Sequence, residues 1–190
     1  MTEKKVLWTI PNLLSFYRLI IVPVLIVAIL NKQEALFAWL FFISLISDIL
    51  DGWVARTFHL ESEWGARLDS WADTATYLVA FWALFSFKGQ EIAPHLWGVM
   101  AFAVAWLALY LAMLLKFGSV IGLHTYSFKI TAYLQGACMM NLLWSGFSAW
   151  FYYLAIGWGI LACVEEIVIV LLLREPQTNV KGLWWVLRTR

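Results

Sequence analysis

Charged side chains are scarce in this chain of 190 residues, where Asp, Glu, Lys and Arg together make up 13%. A soluble globular domain carries about 25%, so the composition excludes a water-soluble enzyme of ordinary make-up, a disordered protein and a nucleic-acid binder with a basic surface. Cysteine is also rare, and Cys138 and Cys163 both lie in apolar runs, which excludes a disulfide scaffold and predicts buried thiols. Apolar residues (63%) are abundant, and so is Trp (13 residues), which favours the two interfaces of a bilayer. The composition therefore predicts an integral membrane protein without a nucleic-acid partner.

Long apolar runs are the main feature of the sequence. A helix needs about 20 mostly apolar residues to cross the hydrocarbon core of a membrane, and about six runs have that length. They cover approximately residues 10–30, 34–58, 68–87, 95–117, 128–150 and 151–173. Short polar connectors separate them, except that only a weak break at Gly146 and Ser148 divides the fifth run from the sixth. We therefore predict an all-α membrane protein in which residues 1–190 form a single domain with six transmembrane helices.

The basic residues are distributed unevenly between the two ends of these runs. If the N-terminus is cytoplasmic and the six runs alternate in direction, the outer side keeps only Lys32 and Lys88. The cytoplasmic side then holds Lys4, Lys5, Arg56, Arg67, Lys116, Lys129, Arg174, Lys181, Arg188 and Arg190. Because positive charge accumulates on the cytoplasmic side of membrane proteins, this distribution predicts that both termini face the cytoplasm, at the inner membrane.

Two segments near the ends of the sequence mix basic and aromatic residues. Met1–Trp8 combines Lys4 and Lys5 with apolar residues, and Val180–Arg190 places two tryptophans beside basic residues. Such segments are typical of helices that lie in the interface of a membrane. We therefore predict short interfacial amphipathic segments at both termini, in contact with membrane lipids.

Four aspartates lie inside the predicted second and third helices, where ionisable groups are costly and indicate a functional site. Asp48 and Asp51 are three residues apart, and Asp69 and Asp73 are four apart, so each pair shares one helix face. Both pairs lie near the cytoplasmic ends of antiparallel helices, which predicts four carboxylates at one depth. A divalent cation relieves their mutual repulsion, and hard oxygen ligands suit Mg²⁺, Mn²⁺ or Ca²⁺. The other interpretations are hydrogen bonds between helices and the ion site of a cation transporter.

Small and basic residues accompany the aspartates. Gly52 and Ala55 lie beside them on the second predicted helix and Gly65 on the third, which leaves a strip of backbone that a flat ligand can approach closely. Arg56 adds a cation that suits a phosphate group. The pattern therefore predicts a site that combines a metal, a phosphate and a spare carboxylate.

The spacing of these residues matches a known signature. It reads Asp48-x2-Asp51-Gly52-x2-Ala55-Arg56-x8-Gly65-x3-Asp69-x3-Asp73. This pattern resembles, at every fixed position, the signature of the CDP-alcohol phosphatidyltransferases. The segment Ile10–Leu14 together with Arg18 is also similar to the start of bacterial phosphatidylglycerophosphate synthases. The resemblance extends to the number of predicted helices and so to nearly the whole chain.

The resemblance implies a reaction and a set of residue roles. The expected reaction transfers phosphatidyl from CDP-diacylglycerol to a small polar alcohol and releases CMP, a step of phospholipid biosynthesis. Asp73 is expected to be the catalytic base. The expected metal site holds two Mg²⁺ or Mn²⁺ ions and is formed by Asp48, Asp51, Asp69 and Asp73. The expected nucleotide-binding residues are Asp48, Asp51, Gly52, Ala55, Arg56, Gly65 and Asp69. A homodimer is implied as well.

The acceptor alcohol is less constrained than the donor. The resemblance favours glycerol 3-phosphate, which needs cations beside the aspartates, and the candidates are Arg18, Arg67, Lys116 and Lys129. The fourth predicted helix reads Trp106–Tyr110, however, and lacks the arginines that similar synthases carry there. Serine and inositol-type acceptors therefore stay open. So does the reversed reaction, in which a CDP-linked polar alcohol gives its phospho-alcohol group to diacylglycerol.

Two adjacent acids, Glu165 and Glu166, lie in the apolar sixth run. Their side chains point about 100° apart on a helix, so at most one faces a given pocket. One interpretation is an ion pair with a buried cation such as Arg18 or Lys129. The other is binding of the amine of an acceptor.

Overall fold

The structure, a computed structural model, describes residues 9–58, 63–178 and 180–188, so the predicted interfacial segment Met1–Trp8 lies outside the described residues. The residues within those ranges are largely helical and contain no strand, which confirms the all-α prediction. Six long helices precede a short one: α1 (Ile10–Leu30), α2 (Glu34–Thr57), α3 (Glu63–Ile92), α4 (Leu96–Phe117), α5 (Tyr126–Ser145), α6 (Ala149–Leu172) and α7 (Leu183–Arg188). A turn of 3-10 helix, Ala93–His95, joins α3 to α4.

Four helical stretches of the described chain are long and apolar enough to cross a membrane: Ile10–Leu30, Glu34–Ala55, Arg67–Phe117 and Ala149–Leu172. The third has 51 residues; at about 1.5 Å per residue it is more than twice as long as a hydrocarbon core of roughly 30 Å is thick. It contains the non-helical residue Lys88 (φ −121°, ψ 17°) and the 3-10 turn. α5 is not one of the four, and its 20 residues include a lysine, a glutamine and an asparagine. Six membrane crossings therefore stay a prediction.

The ends of three helices follow from local chemistry. The Thr9 hydroxyl caps α1 by accepting a hydrogen bond from the Asn12 backbone N–H (3.4 Å). The Thr125 hydroxyl caps α5 in the same way, with the Phe128 N–H as donor (3.3 Å). Both are helix-start positions where a hydroxyl satisfies an otherwise unpaired amide. α4 ends at Phe117, and the next residue, Gly118, has a φ of +68°, the left-handed conformation that glycine adopts without strain.

The first of two compact units comprises Met1–Gln90 and Leu143–Ser145. In this unit α1 packs along α2. The buried apolar residues of these two helices are Leu25, Ala28, Ile29, Phe37, Ala38 and Phe41. The ring of Phe37 lies 5.5 Å from the ring of Phe87 on α3. Lys88 Nζ pairs with Glu34 Oε1 at 2.9 Å, so α2 and α3 are also joined by an ion pair. These contacts fix the three helices on which the site is built.

The second unit comprises Glu91–Leu142 and Gly146–Arg190. Here α4 packs along α6, and α7 packs against α6. The core of this unit consists of Leu109, Met113, Leu123, Ile169, Val170, Leu173, Val180 and Val186. At the start of α4 the Tyr152 hydroxyl donates to the His95 carbonyl (2.8 Å). α3 and α5 contribute residues to both units. Since the chain divides into two compact units, a single domain over residues 1–190 stays a prediction.

The segment that leads into α7 completes the connector between α4 and α5. The Val180 N–H donates to the Leu123 carbonyl (2.8 Å), and the Tyr126 N–H donates to the Lys181 carbonyl (3.1 Å). α7 buries Val186 and exposes its two tryptophans, as an amphipathic interfacial helix requires. The position of this segment at a membrane interface stays a prediction.

Candidate functional site

The four aspartates lie on two helices of the first unit. Asp48 and Asp51 belong to the last turns of α2, and Asp69 and Asp73 to the first half of α3. One carboxylate oxygen from each of Asp48, Asp51 and Asp69 lies within 4.8 Å of the others. The structure therefore confirms that the carboxylates of the two helices converge.

Arg18 of α1 lies among the four carboxylates. Its Nη1 atom is 2.7 Å from Asp48 Oδ1 and 2.5 Å from Asp73 Oδ1. Its Nη2 atom is 3.0 Å from Asp51 Oδ2 and also contacts Asp69 Oδ1. The side chains of Arg18 and Asp51 are 2% and 4% exposed, whereas those of the other three aspartates are 42% exposed. The cluster is therefore closed at Arg18 and Asp51 and open at its other members.

The charges of the cluster do not balance. Four ionised aspartates and one guanidinium leave a net charge of about −3, and charges removed from water are costly unless they are paired. A hard divalent cation prefers oxygen ligands of the kind that converge here. Nitrogen and sulfur ligands are not part of the described cluster, so its donor set fits Mg²⁺ or Mn²⁺ better than a softer metal. Two ions stay a prediction.

A serine that the sequence analysis missed also belongs to the site. Ser15 Oγ lies 3.2 Å from Asp51 Oδ2 and 3.4 Å from Asp69 Oδ1, and 3.3 Å from the Pro11 carbonyl. Because a hydroxyl has one proton, it donates to one of these acceptors at a time. The signal in the sequence was its position three residues before Arg18, on the same face of an apolar helix.

The predicted nucleotide-binding residues surround the aspartates in the sequence and on the helices. Gly52 and Ala55 are half-buried on α2, and Gly65 is half-buried in the first turn of α3. Arg56 lies next to Ala55 near the end of α2. Their contact with a nucleotide stays a prediction.

The four predicted acceptor-binding cations have different surroundings. Arg18 is buried among the aspartates, whereas Arg67 is exposed on α3, six residues before Asp73. The other two are exposed in the second unit: Lys116 Nζ donates to the Leu171 carbonyl (2.6 Å), and Lys129 Nζ lies 5.4 Å from the centre of an aromatic ring. Both lysines lie at helix ends, Lys116 in the last turn of α4 and Lys129 in the first turn of α5. Acceptor binding by any of the four stays a prediction.

Glu165 and Glu166 hold the neighbouring segments of the second unit. Glu166, which is 4% exposed, accepts a hydrogen bond from the hydroxyl of Thr125 (2.8 Å). Glu165 accepts one from the Leu183 N–H (2.8 Å) and one from the hydroxyl of Ser127. The two acids therefore anchor the starts of α5 and α7. An ion pair with Arg18 or Lys129 is not found in the described part of the chain.

Comparison with known proteins finds similarity over the part of the chain that contains the four aspartates. A family model described as CDP-alcohol phosphatidyltransferase matches residues 8–163 of the chain. Three relatives are similar over shorter stretches. A CDP-diacylglycerol–glycerol-3-phosphate 3-phosphatidyltransferase of Cereibacter sphaeroides is 34% identical over 88 residues, which cover 44% of this chain and 40% of the relative.

The other two relatives have different names. A CDP-diacylglycerol–inositol 3-phosphatidyltransferase of Saccharomyces cerevisiae is 35% identical over 75 residues (40% of this chain and 34% of the relative). A cardiolipin synthase (CMP-forming) of Rattus norvegicus is 36% identical over 78 residues (40% and 26%). The matches thus span less than half the length of these curated relatives. No solved structure matches the chain significantly.

Proposed function

This chain belongs to the CDP-alcohol phosphatidyltransferase family, and from that premise we propose that it is an integral membrane enzyme that moves phosphatidyl from CDP-diacylglycerol to a small polar alcohol. CMP is the second product, and the reaction serves phospholipid biosynthesis. The observation that carries the proposal is the convergence of carboxylate oxygens from Asp48, Asp51 and Asp69 within 4.8 Å of one another. A substrate with a diphosphate needs a cation-rich site, and this cluster is built to hold cations.

Asp73 is the proposed catalytic base. Its side chain is 42% exposed on the open side of the cluster, where an acceptor hydroxyl can approach. The hydroxyl oxygen attacks the phosphorus of the phosphatidyl group and forms a new P–O bond, while the bond from that phosphorus to the oxygen of CMP breaks. The hydroxyl proton passes to the Asp73 carboxylate, and CMP leaves with the electron pair of the broken bond. No covalent enzyme intermediate is required.

The aspartates would also hold the divalent ions. Asp48, Asp51 and Asp69 are the proposed principal ligands, with Asp73 beside them. When bound, Mg²⁺ or Mn²⁺ would neutralise the diphosphate and stabilise the CMP leaving group. Ser15, by donating to Asp51 or Asp69, orients those carboxylates, which is the usual contribution of a group behind a metal ligand.

The cytidine part of the donor is assigned to the small residues of α2 and α3. Gly52, Ala55 and Gly65 leave backbone that a flat base can approach, and Arg56 supplies a cation for the nucleotide phosphates. We place this site on the cytoplasmic side of the inner membrane. The predicted orientation puts most basic residues of the chain on that side, together with the connector between the second and third predicted helices, beside which the site lies. A homodimer is part of the proposal.

Glycerol 3-phosphate is the proposed acceptor. Exposed Arg67 on α3 is a cation that suits its phosphate. The other candidates from the sequence are Arg18, Lys116 and Lys129. Relatives named for glycerol 3-phosphate and for inositol are about equally similar to the chain, so an inositol-type alcohol is one alternative to be tested. Serine is the other alternative that the sequence leaves open.

A CMP-release assay tests the proposal. Detergent-purified protein is incubated with CDP-diacylglycerol, Mg²⁺ or Mn²⁺, and glycerol 3-phosphate, serine or inositol, one acceptor at a time. We expect CMP release with glycerol 3-phosphate and none when EDTA removes the ions. Release with another acceptor alone would change the assignment of the substrate. Cation flux in liposomes without CMP release under any condition would favour a cation transporter and contradict the enzyme.

A further inference from the structure

We propose that Arg18 is the internal cation of the aspartate cluster. When the cluster binds divalent ions, Arg18 exchanges its carboxylate partners for a phosphate of the donor. This inference rests on the proposed function, because it concerns the same ions and the same donor. It assigns to a residue of α1 a role in loading the site.

The contacts of Arg18 show that it and a metal would draw on the same carboxylates. Two nitrogen atoms of its guanidinium contact one oxygen from each of the four aspartates, at 2.5 to 3.0 Å where the contact is of ordinary length. Three of those four residues are the group whose oxygens converge closely enough for a metal. A divalent ion held by these carboxylates therefore competes with the guanidinium for them.

The charges explain why Arg18 binds the carboxylates when divalent ions are absent and a phosphate when they are bound. Without ions, four carboxylates in a poorly solvated place repel one another, and Arg18 is the cation that the described residues supply to keep them together. Two divalent ions would bring the cluster from about −3 to about +1. In that state the guanidinium no longer needs the carboxylates, and an anionic diphosphate is the partner that restores the balance.

A third atom of Arg18 already lacks a partner. The Nε atom makes no hydrogen bond, and it is buried in a side chain that is only 2% exposed. A buried donor without an acceptor is costly and points to a missing ligand or a second state. Nε and one Nη of an arginine form a planar fork that matches two oxygens of a phosphate. Arg18 therefore has the geometry to receive the phosphate once it leaves the aspartates.

Binding of Mn²⁺ alone tests the first half of the exchange, without substrate or turnover. We expect Arg18→Gln to bind Mn²⁺ at least about tenfold more tightly than the unaltered protein, because the competing cation is gone. Arg18→Lys keeps a charge with fewer donors and should fall between the two. Arg174→Gln, the same change at an exposed arginine outside α1 to α3, should leave the affinity unchanged.

The outcomes separate this inference from the proposed function. Equal or weaker Mn²⁺ binding by Arg18→Gln overturns the exchange and leaves the metal-dependent enzyme intact. If the unaltered protein binds no Mn²⁺ at all, both the proposed metal site and the exchange are wrong. Because Arg18→Gln can fail to fold, the same comparison with Arg18→Lys, which retains the charge, keeps the test decisive.

A second experiment uses the unaltered protein. An arginine-specific dicarbonyl reagent is applied in EDTA, in Mn²⁺, and in Mn²⁺ with CDP-diacylglycerol, and the modification of Arg18 is read by peptide mass spectrometry. We expect protection in EDTA, several-fold greater modification in Mn²⁺ alone, and renewed protection when the donor lipid is present. Equal protection of Arg18 in EDTA and in Mn²⁺ overturns the exchange.

Discussion

The guanidinium of Arg18 lies 3.0 Å from the carboxylate of Asp51, and both side chains are almost completely buried. This pair joins α1 to α2 at the closed side of the site. Removing the cation from a buried ion pair typically costs about 3 to 5 kcal/mol. Loss of Arg18 would leave the buried Asp51 carboxylate without its counter-charge, whereas Arg18 has three further carboxylate partners. The pair is therefore important for stability as well as for the chemistry of the cluster.

Asp73→Asn should abolish transfer while leaving the donor bound. An amide cannot accept the acceptor's proton, and loss of a general base typically lowers the rate about 10²- to 10⁴-fold. CMP release measures the loss, and binding of CDP-diacylglycerol with Mn²⁺ measures what remains. Loss of donor binding in this variant would contradict the role of Asp73 as the base.

Asp51→Asn should weaken Mn²⁺ binding by at least about tenfold, because an amide oxygen is a weaker ligand for a hard cation than a carboxylate. The variant should also unfold at lower temperature, since Arg18 loses its most buried partner. Titration with Mn²⁺ and thermal unfolding in detergent measure the two effects. The chain has no aspartate outside the site, so Glu175→Gln, at an exposed acid, is the matched control. Unchanged Mn²⁺ affinity would remove Asp51 from the ligand set.

Ser15→Ala tests the hydroxyl that reaches two aspartates. A hydrogen bond to a charged group contributes about 1.5 to 3 kcal/mol, so we expect a lower unfolding temperature and weaker Mn²⁺ binding, with catalysis reduced but retained. Ser119→Ala, at an exposed serine, provides the comparison. A Ser15 variant that behaves like the Ser119 variant in both measurements would show that the hydroxyl does not orient the carboxylates.

Arg67→Gln tests the exposed cation of α3. If it binds the phosphate of glycerol 3-phosphate, its loss should raise KM for that acceptor about tenfold, which corresponds to about 1.4 kcal/mol. KM for CDP-diacylglycerol and the affinity for Mn²⁺ should not change. Arg174→Gln is again the matched control. An equal rise in KM for both substrates would place Arg67 outside the acceptor site.

Thr125→Val should destabilise the second unit by about 1 to 3 kcal/mol, because it leaves the buried Glu166 without its hydroxyl donor and removes the cap of α5. Thermal unfolding in detergent measures the change, with Thr178→Val at an exposed position as the control. Combining Thr125→Val with Glu166→Gln should cost less than the sum of the single changes, because the two residues form one interaction. Additive costs would show that the hydrogen bond contributes little.

The sequence predicted some helices closely and others poorly. Residues 10–30 and 34–58 agree with α1 (Ile10–Leu30) and α2 (Glu34–Thr57). The polar residues 31–33 separate these two apolar runs, so hydropathy locates the end of the first helix and the start of the second. The third run was predicted to begin at residue 68, whereas α3 begins at Glu63. Its first five residues include Glu63 and Arg67, charged residues that hydropathy assigns to a connector although they are helical.

The boundary between α5 and α6 shows that a weak signal can locate a break between two helices without giving its length. The predicted runs touch at residues 150 and 151, yet α5 ends at Ser145 and α6 begins at Ala149. Gly146, with φ +85°, takes a backbone conformation that other residues avoid. The glycine was recognised as a break, but the length of the break was not readable from hydropathy.

The aspartate cluster could be predicted because helical spacing places residues three and four apart on one face. The role of Arg18 in that cluster could not, because its partners lie 30 to 55 residues away in the sequence. Spacing within one helix carries no information about which neighbouring helix a long side chain reaches. The partners of Glu165 and Glu166 escaped prediction for the same reason.

The backbone pairing of Leu123 with Val180 and of Tyr126 with Lys181 has a consequence for biosynthesis. The connector before α5 is made long before the segment that supplies its partners, and the whole of α6 is synthesised in between. The ribosome therefore releases an unfinished connector into the membrane environment, and this part of the second unit can close only after residues 180 and 181 have been made. Ribosome-stalled chains that stop short of residue 180 should accordingly leave the connector open to proteases.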